Sequence, residues 1–293
     1  MPAPNGKGYK QLTEKDKIEI VEAFHSGKTV AEIVRELKTT RRAVPQVLKE
    51  FELPTKRKNR YHLNENYFKE IDTPEKSYWL GLIASDGCIT SKNYFAIALK
   101  DKDLLERLKD ALEFTGDVYI PKTKKGTYYR INFSSKIMCD DLRRHGIKEN
   151  KSKSYDKLPN IRKGLIRHFI RAYFDGDGCI SSSVSTTHIN GKKYKNNNYQ
   201  AYIVATEGFC KEFQKLLYEE TGYECRIKDS RTPEMKYAKI FDNQCLYDFY
   251  WYIYHNCDLY LERKHDKWKE FLGSLEERSS WKNRVNRYNR GGK

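Results

Sequence analysis

Residues 79–89 read WLGLIASDGCI, and residues 170–180 read IRAYFDGDGCI. Both stretches are mostly apolar, and both end in an aspartate followed by Gly-Cys-Ile. The two aspartates, Asp86 and Asp177, are 91 residues apart (177 − 86). Similar segments at such a distance predict that the chain contains two copies of one structural unit.

Small residues are spaced alike in the two stretches. Gly81 and Ser85 stand four apart in the first, as Ala172 and Gly176 do in the second, so each pair occupies one helix face. Because small side chains let two helices approach closely, we expect these helices to pack together. Close packing would bring the two aspartates side by side, and the glycine after each would let the chain leave its helix.

The similarity continues downstream. Gly116 and Gly222 are 106 residues apart, as are Cys139 and Cys245, and a polar insertion around residues 188–200 accounts for the extra 15 residues (106 − 91). Each copy is predicted as helix, two strands, helix, two strands, helix, an α+β fold. We expect the copies at residues 74–160 and 161–272.

Polar and apolar residues alternate in several predicted strands. This period of two is typical of an antiparallel sheet with one face on the core and one in solvent. A polar face rich in basic, aromatic and amide side chains also suits contact with a nucleic-acid groove. The candidates for such contact are Tyr128, Arg130 and Asn132 in the first copy, and Arg226 and Lys228 in the second.

Residues 1–53 carry three short helical patterns. Thr29 and Glu32 have capping-box spacing, which predicts that the middle helix begins there. Three short helices with a tight turn are typical of a helix-turn-helix DNA-binding domain, although a three-helix bundle that merely packs is the alternative. Pro45 is tolerated only in the first turn of the last helix. The predicted DNA-reading side chains of that helix are Arg41, Arg42, Gln46 and Lys49.

Two further segments are strongly basic. We interpret residues 54–73 as a linker and residues 273–293 as a C-terminal tail. Such runs are often solvated surface, but beside DNA-binding parts they could contact phosphates. In the linker the candidate phosphate contacts are Lys56, Arg57, Lys58 and Arg60.

Composition restricts the class of protein. The chain has 293 residues with 56 Lys and Arg against 40 Asp and Glu, a net charge of +16, and 13% aromatic residues. This apolar and aromatic content predicts a folded protein, and its charge favours a polyanionic partner. The seven cysteines form no CxxC pair, so we expect reduced thiols and an intracellular location, in the cytoplasm or nucleoid. No apolar run is long enough to cross a membrane.

The two motifs resemble those of LAGLIDADG homing endonucleases of the single-chain type, over residues 66–272. The resemblance implies two pseudo-symmetric αββαββα repeats that form a saddle on double-stranded DNA, in a monomer. It also implies metal-dependent cleavage of both strands, with Asp86 and Asp177 as catalytic residues and metal ligands. Mg²⁺ is the expected ion, since carboxylate oxygens and phosphates suit hard divalent cations.

Further site residues follow from the same resemblance. The backbone carbonyls of Ser85 and Gly176 are expected to contact the metal. A lysine late in each repeat is expected near the reacting water, at Lys151 and Lys264, with Lys153 as an alternative to Lys151.

The motifs also depart from the family pattern. Ala84 stands where an acid is frequent, and Arg171 and bulky Tyr173 and Phe174 interrupt the second motif. We expect Asp175 to be structural. Asp175 to Gly178 could suggest a calcium loop, but Cys179 occupies a ligand position, which excludes an EF-hand.

Three functions remain open at this point. The first is a site-specific homing endonuclease that promotes mobility of an intron, intein or its own gene. The second is a non-cutting transcriptional regulator on the same scaffold, and the third is an intron RNA maturase. The presence of both motif aspartates favours the endonuclease.

Overall fold

The structure, a computed structural model, describes residues 6–53, 61–121 and 126–276. The chain divides into two compact units, Met1–Tyr61 and His62–Lys293. Several predicted DNA contacts lie outside the described residues, namely Lys56, Arg57, Lys58 and Arg60, together with residues 277–293 of the basic tail.

The first unit contains three helices, α1 (Glu14–His25), α2 (Val30–Glu36) and α3 (Ala43–Glu50). Helix α2 begins as the spacing predicted, because the Thr29 hydroxyl accepts from the Glu32 amide while the Glu32 carboxylate accepts from the Thr29 amide. Branched apolar side chains from all three helices meet in one small core. Its fully buried members are Ile20, Ile33, Val44, Val47 and Leu48.

The second unit opens with the first predicted repeat. Its elements are α4 (Pro74–Asp86), β1 (Gly87–Ile89), β2 (Tyr94–Leu99), α5 (Lys102–Ala111), β3 (Tyr129–Ser134) and α6 (Lys136–Arg144). The three strands form an antiparallel sheet in the order β1-β2-β3. Of the strand expected between α5 and β3, the described residues retain an isolated bridge from Tyr119 to Arg130. Pro121 stands two residues after Tyr119 and has no N–H to extend the pairing.

The second repeat is larger. Its elements are α7 (Lys163–Asp177), β4 (Gly178–Ile189), β5 (Lys192–Ala205), α8 (Glu207–Thr221), β6 (Arg226–Asp229), β7 (Lys236–Ile240), α9 (Asn243–Tyr254) and α10 (Glu262–Glu276). The sheet order is β4-β5-β7-β6, and all neighbours are antiparallel. The predicted order of helices and strands is confirmed here. Helix α10 was not predicted as an element, and it extends four residues past residue 272, the predicted end of the second repeat.

The polar insertion around residues 188–200 forms strand rather than loop. β4 and β5 pair along their length from Gly178 opposite Ile203 to Ile189 opposite Lys192. The two residues between them, Asn190 and Gly191, have φ values of 48° and 75°. Two successive residues at positive φ are what a tight two-residue hairpin turn requires.

The α4–α7 contact lies at the centre of the second unit, as the small-residue spacing predicted. A Cβ added to Gly81 would collide with the carbonyl oxygen of Phe169 and lie 2.9 Å from the Ala172 Cβ. Any larger residue at Gly81 would therefore force the two helices apart.

The predicted linker is shorter in the structure than residues 54–73. From His62 onward the chain belongs to the second unit. Phe68 is fully buried and Tyr67 and Ile71 nearly so. Their apolar side chains explain why this stretch packs on the repeats instead of remaining a solvated spacer.

Two further observations concern the cysteines and the length of the helices. All seven cysteines are free thiols, and Cys139, Cys210, Cys225 and Cys245 are buried. Among the described residues, the longest and most apolar helices still fall short of what spanning a bilayer requires.

Candidate active site

The two motif helices end at the same part of the second unit. α4 ends at Asp86 and α7 at Asp177, and the following glycines are extended, with φ of −76° at Gly87 and −82° at Gly178. Their role therefore differs from the helix-ending role expected from the sequence, since neither needs a left-handed backbone. A Cβ on Gly87 would lie 2.7 Å from the Ile83 carbonyl oxygen, so glycine is required for space.

The predicted approach of the two aspartates is present in the structure. A Cβ on Gly176, the residue before Asp177, would lie 2.5 Å from a carboxylate oxygen of Asp86 and would overlap the Ser85 hydroxyl. The negative charge of Asp86 also contributes to raising the pKa of Asp177. The ends of the two motifs therefore form one site, although they are 91 residues apart in sequence (177 − 86).

Both carboxylates have raised pKa values. Desolvation by surrounding protein is the main cause at each, and it raises the pKa of Asp177 to about 6, with a further contribution from Asp86. Both side chains nevertheless remain open to solvent. The two acids are therefore reachable from solvent, while the protein around them disfavours their charged form.

Each motif end is also held by a lysine. The Lys151 ammonium donates to the Ser85 carbonyl at 2.6 Å. The Lys264 ammonium donates to the carbonyls of Phe174 at 2.7 Å, Gly176 at 3.1 Å and Gly178 at 2.5 Å. Both lysines are buried, and burial lowers the pKa of Lys151 and brings that of Lys264 to about 8.

The lysine contacts are equivalent in the two repeats. In each repeat the ammonium contacts the carbonyl directly before the motif aspartate, at Ser85 or Gly176. Lys153, the alternative to Lys151, is instead exposed and lies 3.7 Å from Glu234. The geometry favours Lys151, and its catalytic role stays a prediction.

Two cavities flank the aspartates. One, of about 290 Å³, is lined by Asp86, Gly176 and Arg263, and the other, of about 190 Å³, by Asp177, Ser85 and Lys151. Each cavity therefore combines the aspartate of one repeat with the residue before the aspartate of the other. Sequence reasoning missed Arg263, whose one signal is its place beside Lys264.

The oxygen donors fit a hard divalent ion. The carboxylates of Asp86 and Asp177 and the carbonyls of Ser85 and Gly176 all belong to the two motif ends that meet at this site, and each carbonyl keeps a second lone pair beside its lysine contact. The described residues contain no group of three or more His, Cys, Asp or Glu side chains placed to bind an ion. A bound ion would therefore need ligands from outside this group, such as phosphate oxygens.

Asp175 is structural, as expected. Its buried carboxylate accepts hydrogen bonds from the hydroxyls of Tyr78 and Tyr254 and from the Leu261 amide. Burial raises its pKa to about 6.

Arg171, which departs from the family pattern of the motif, also has a structural role. Its buried guanidinium donates to the carbonyls of Ile253 and Leu259 and to Nδ1 of His168, and it lies over the Tyr78 ring. Arg171 thus joins α7 to the chain around α9.

The predicted groove-facing residues lie on the open faces of both sheets. Arg130 donates to the Tyr94 hydroxyl at 3.2 Å and stacks on the Tyr94 and Tyr119 rings. In the second repeat, the exposed Arg226 and Lys228 lie over the Phe241 ring. Tyr128 and Asn132 are half-buried, and Lys100 lies over the Tyr128 ring.

In the first unit, the predicted DNA-reading side chains are all exposed. Pro45 is the third residue of α3, within the first turn, where a missing N–H is tolerated. The exposed candidates are Arg41, Arg42, Gln46 and Lys49. Their exposure is compatible with DNA contact, and the helix-turn-helix assignment stays a prediction.

Comparison with solved structures gives matches to DNA-bound meganucleases, among them these three. The LAGLIDADG meganuclease I-AabMI bound to uncleaved DNA has 14% identity over 75% of this chain and 99% of its own, with a TM-score of 0.51. I-CpaMI bound to uncleaved DNA has 11% identity over 76% and 96%, with a TM-score of 0.49. I-SmaMI, bound to uncleaved DNA target in the presence of calcium ions, has 16% identity over 73% and 93%, with a TM-score of 0.47.

Residues 164–254 match the family described as the LAGLIDADG-like domain. None of the curated proteins matches the sequence. The chain therefore contains a LAGLIDADG-like domain, and the likeness to I-AabMI shows that it has the LAGLIDADG meganuclease fold. This confirms the resemblance predicted from the two motifs.

Proposed function

We propose that the protein is a site-specific DNA endonuclease that cuts both strands of a long target site. One observation carries the proposal. The two motif aspartates come from different repeats, yet they meet at one solvent-accessible site with a lysine equivalently placed on either side. That I-AabMI is a meganuclease bound to DNA supports the same function and the same partner, double-stranded DNA, for this chain.

The paired arrangement suits cleavage of a duplex. The minor groove of B-DNA is only about 6 Å wide, so two phosphates facing each other across it can be reached from neighbouring carboxylates. Asp86 and Asp177 would each serve one strand. One acid from each repeat is therefore sufficient for a double-strand break.

Divalent metal, with Mg²⁺ as the expected ion, would bind at Asp86 and Asp177 with help from the Ser85 and Gly176 carbonyls. When bound, such an ion activates water and stabilises the charge that develops on the phosphate. The chain's own residues supply the frame for this chemistry. Lys151 and Lys264 hold the two carbonyls in place, and their positive charge favours the ionised aspartates.

Basic side chains are proposed to make the remaining contacts. Arg130, Arg226 and Lys228 are proposed to contact DNA from the sheets, and α3 of the first unit to extend the binding site. By the resemblance, the break would promote mobility of an intron, an intein or the protein's own gene. We propose that it acts as a monomer inside the cell, in the cytoplasm or nucleoid.

The test is incubation of the full chain with duplex DNA that spans the insertion locus of its own gene, with Mg²⁺ or with EDTA. We expect Mg²⁺-dependent double-strand breaks on a gel. Asp86→Asn and Asp177→Asn should each reduce cleavage by more than about a thousandfold while binding changes little, since a charge used in the transition state is lost. Asp103→Asn, an exposed acid of α5, is the matched control and should cleave normally.

Specific binding without any break by the unaltered chain would favour the non-cutting regulator instead. Full activity in either motif variant would refute the assignment of the two aspartates.

A further inference from the structure

The β4–β5 hairpin extends far beyond the sheet to which it belongs. β4 has 12 residues and β5 has 14, and the third strand of the sheet, β7, pairs only with residues 201–205 of β5. Beyond that point the hairpin is a ribbon of two strands, which we define as residues 181–200.

The outer part of the ribbon is not packed into the core. Residues 182–188, 190–193 and 197–198 are exposed, on both faces of the ribbon. At its base, the Tyr199 ring contacts Phe271 of α10 at 5.3 Å between ring centres. Two strands alone are only marginally stable in water, so this length of ribbon calls for a partner surface.

One face of the ribbon continues the proposed DNA-binding face of the sheet. Residues directly opposite each other in an antiparallel pair point the same way, and the direction alternates along each strand. Ile180 and Ala201 are buried on the core side, so Cys179 and Tyr202 lie on the open side. On that open side Tyr202 pairs with Lys239, and Lys239 in turn pairs with Arg226.

The same alternation places two polar pairs of the ribbon on the open side. These are Ser181 with Gln200 and Ser183 with Asn198. Their side chains are amides and hydroxyls, which donate to and accept from base edges. Residues 178–205 also include Lys192, Lys193 and Lys195 but no acidic residue, which suits a phosphate-lined groove.

The described residues of the first repeat form no equivalent ribbon. Its β1 has three residues, paired with part of a six-residue β2. The nine additional residues of β4 correspond to roughly 30 Å at about 3.3 Å per residue. At a rise of 3.4 Å per base pair, that length spans roughly nine base pairs.

From this asymmetry we propose that the ribbon of residues 181–200 is an extended recognition element that lies in the DNA major groove and makes the target site lopsided. The major groove is wide enough for a two-stranded ribbon. The half-site bound by the second repeat is then read several base pairs further from the cut than the half-site bound by the first. This inference rests on the proposed function and assigns its specificity to particular residues.

The test is selection of binding sites from a randomised duplex library by the full chain and by a chain with a shortened hairpin. Deleting residues 183–188 and 193–198 removes six cross-strand pairs, and it keeps the Asn190-Gly191 turn and the alternation of faces. Residues 183–188, 193, 197 and 198 are exposed, so their removal should leave the melting temperature almost unchanged.

The full chain should select sites whose sequence preference extends further on one side of the centre than on the other. The shortened chain should lose preference at those outer positions alone and bind the full site at least tenfold more weakly. If the preference of the full chain extended equally far on both sides of the centre, the inference would be overturned. An unchanged preference of the shortened chain would overturn it as well.

Point variants refine the result. Ser183→Ala with Asn198→Ala changes the open side, and Val184→Ala with Asn197→Ala changes the opposite side as the matched control. Only the first double variant should relax the outer positions. A similar loss from both would mean that the open side does not read the bases.

Cleavage of the selected duplex with Mg²⁺ separates the two proposals. A lopsided site that is bound but never cut would leave the ribbon inference standing and overturn the endonuclease. A site that is cut but is read equally far on both sides would support the endonuclease and overturn the ribbon inference.

Discussion

The two repeats are alike at the candidate active site and unlike around it. In both, a motif helix ends in an exposed aspartate, and a lysine contacts the carbonyl just before it. Around this shared centre, the first repeat has a sheet of three short strands, whereas the second has the long β4–β5 hairpin and α10. Under the proposed function, this difference means that cleavage restricts both repeats equally, whereas DNA recognition leaves each repeat free to differ.

The two motif helices also differ at positions away from their aspartates. His168 and Arg171 of α7 correspond by the 91-residue offset to Ser77 and Leu80 of α4 (168 − 77). Ser77 is buried and donates to the Leu165 carbonyl at 2.7 Å. Thus a polar, basic cluster occupies in one repeat the position that a small hydroxyl and an aliphatic chain occupy in the other.

The largest expected effect tests the contact that the two repeats share. Gly81→Ala should lower the free energy of unfolding by about 3 kcal/mol, because the new methyl group overlaps the Phe169 carbonyl of the facing helix. Chemical denaturation measures the change. Gly273→Ala in α10, where a Cβ meets nothing within 4 Å, is the control and should stabilise by up to about 1 kcal/mol. Equal effects would mean that α4 and α7 do not pack as described.

The next effect tests whether the two lysines are equivalent. Lys151→Met and Lys264→Met should each slow cleavage about a hundredfold, because each removes a positive charge beside the aspartates. A denaturing gel with either strand labelled should show that the two variants impair opposite strands. Lys153→Met should change the rate less than about twofold, since an exposed pair with Glu234 contributes little. Equal losses at Lys151 and Lys153 would contradict the assignment.

A smaller effect tests the buried cluster of His168 and Arg171, at positions where the first repeat has Ser77 and Leu80. Burial, with Arg171 and Arg167 nearby, lowers the pKa of His168 from 6.5 to about 4. Its Nδ1 must be unprotonated, because the Arg171 guanidinium donates to it. The unfolded chain therefore takes up the proton first, so the contribution of His168 to stability is lost as the pH falls from about 7 towards 4.

The measurement is the difference in unfolding free energy between the unaltered chain and His168→Gln from pH 7.5 to pH 5. His168 should account for about 2 kcal/mol of that pH dependence, by linkage from the lowered pKa. Taking the difference is necessary because the raised pKa of Asp175 acts in the opposite direction over the same range. The exposed His188, changed to Gln, should leave the slope unaltered.

The smallest expected effect compares the three-helix unit with the repeats. Deleting residues 1–53 should weaken DNA binding about tenfold and reduce its salt dependence, since fewer phosphates are neutralised. Binding titrations at several salt concentrations measure both quantities. Metal-dependent cleavage should persist. A folded but inactive truncation would show that the first unit is part of the catalytic machinery.

The sequence predicts the centre of the second unit better than its edges. The α4–α7 contact follows from small residues four apart, because a helix places such residues on one face. Asp86, Asp177 and the two lysines follow from the motifs and the resemblance. In contrast, nothing local distinguished Lys151 from Lys153, since the difference depends on the Ser85 carbonyl, which is distant in sequence.

The long hairpin shows why other parts were missed. An alternation of period two marks a strand only when one face is apolar, and residues 181–200 are polar on both faces. The insertion was therefore visible as extra length but not as strand. Likewise, Arg263 carries no pattern of its own, and its place beside Asp86 depends on how α10 begins.

The close approach of Gly176 to Ser85 and Asp86 has a consequence for the evolution of the protein. Neither repeat alone lines either of the two cavities at the candidate site, so under the proposed function a single repeat would be inactive unless a second copy joined it. Exchange of repeats between related proteins would succeed only where both repeats keep the close contact of Gly176 with Ser85 and Asp86. Substitutions in the outer strands do not touch this contact, so under the proposed function the recognised DNA sequence could change there without altering the candidate active site.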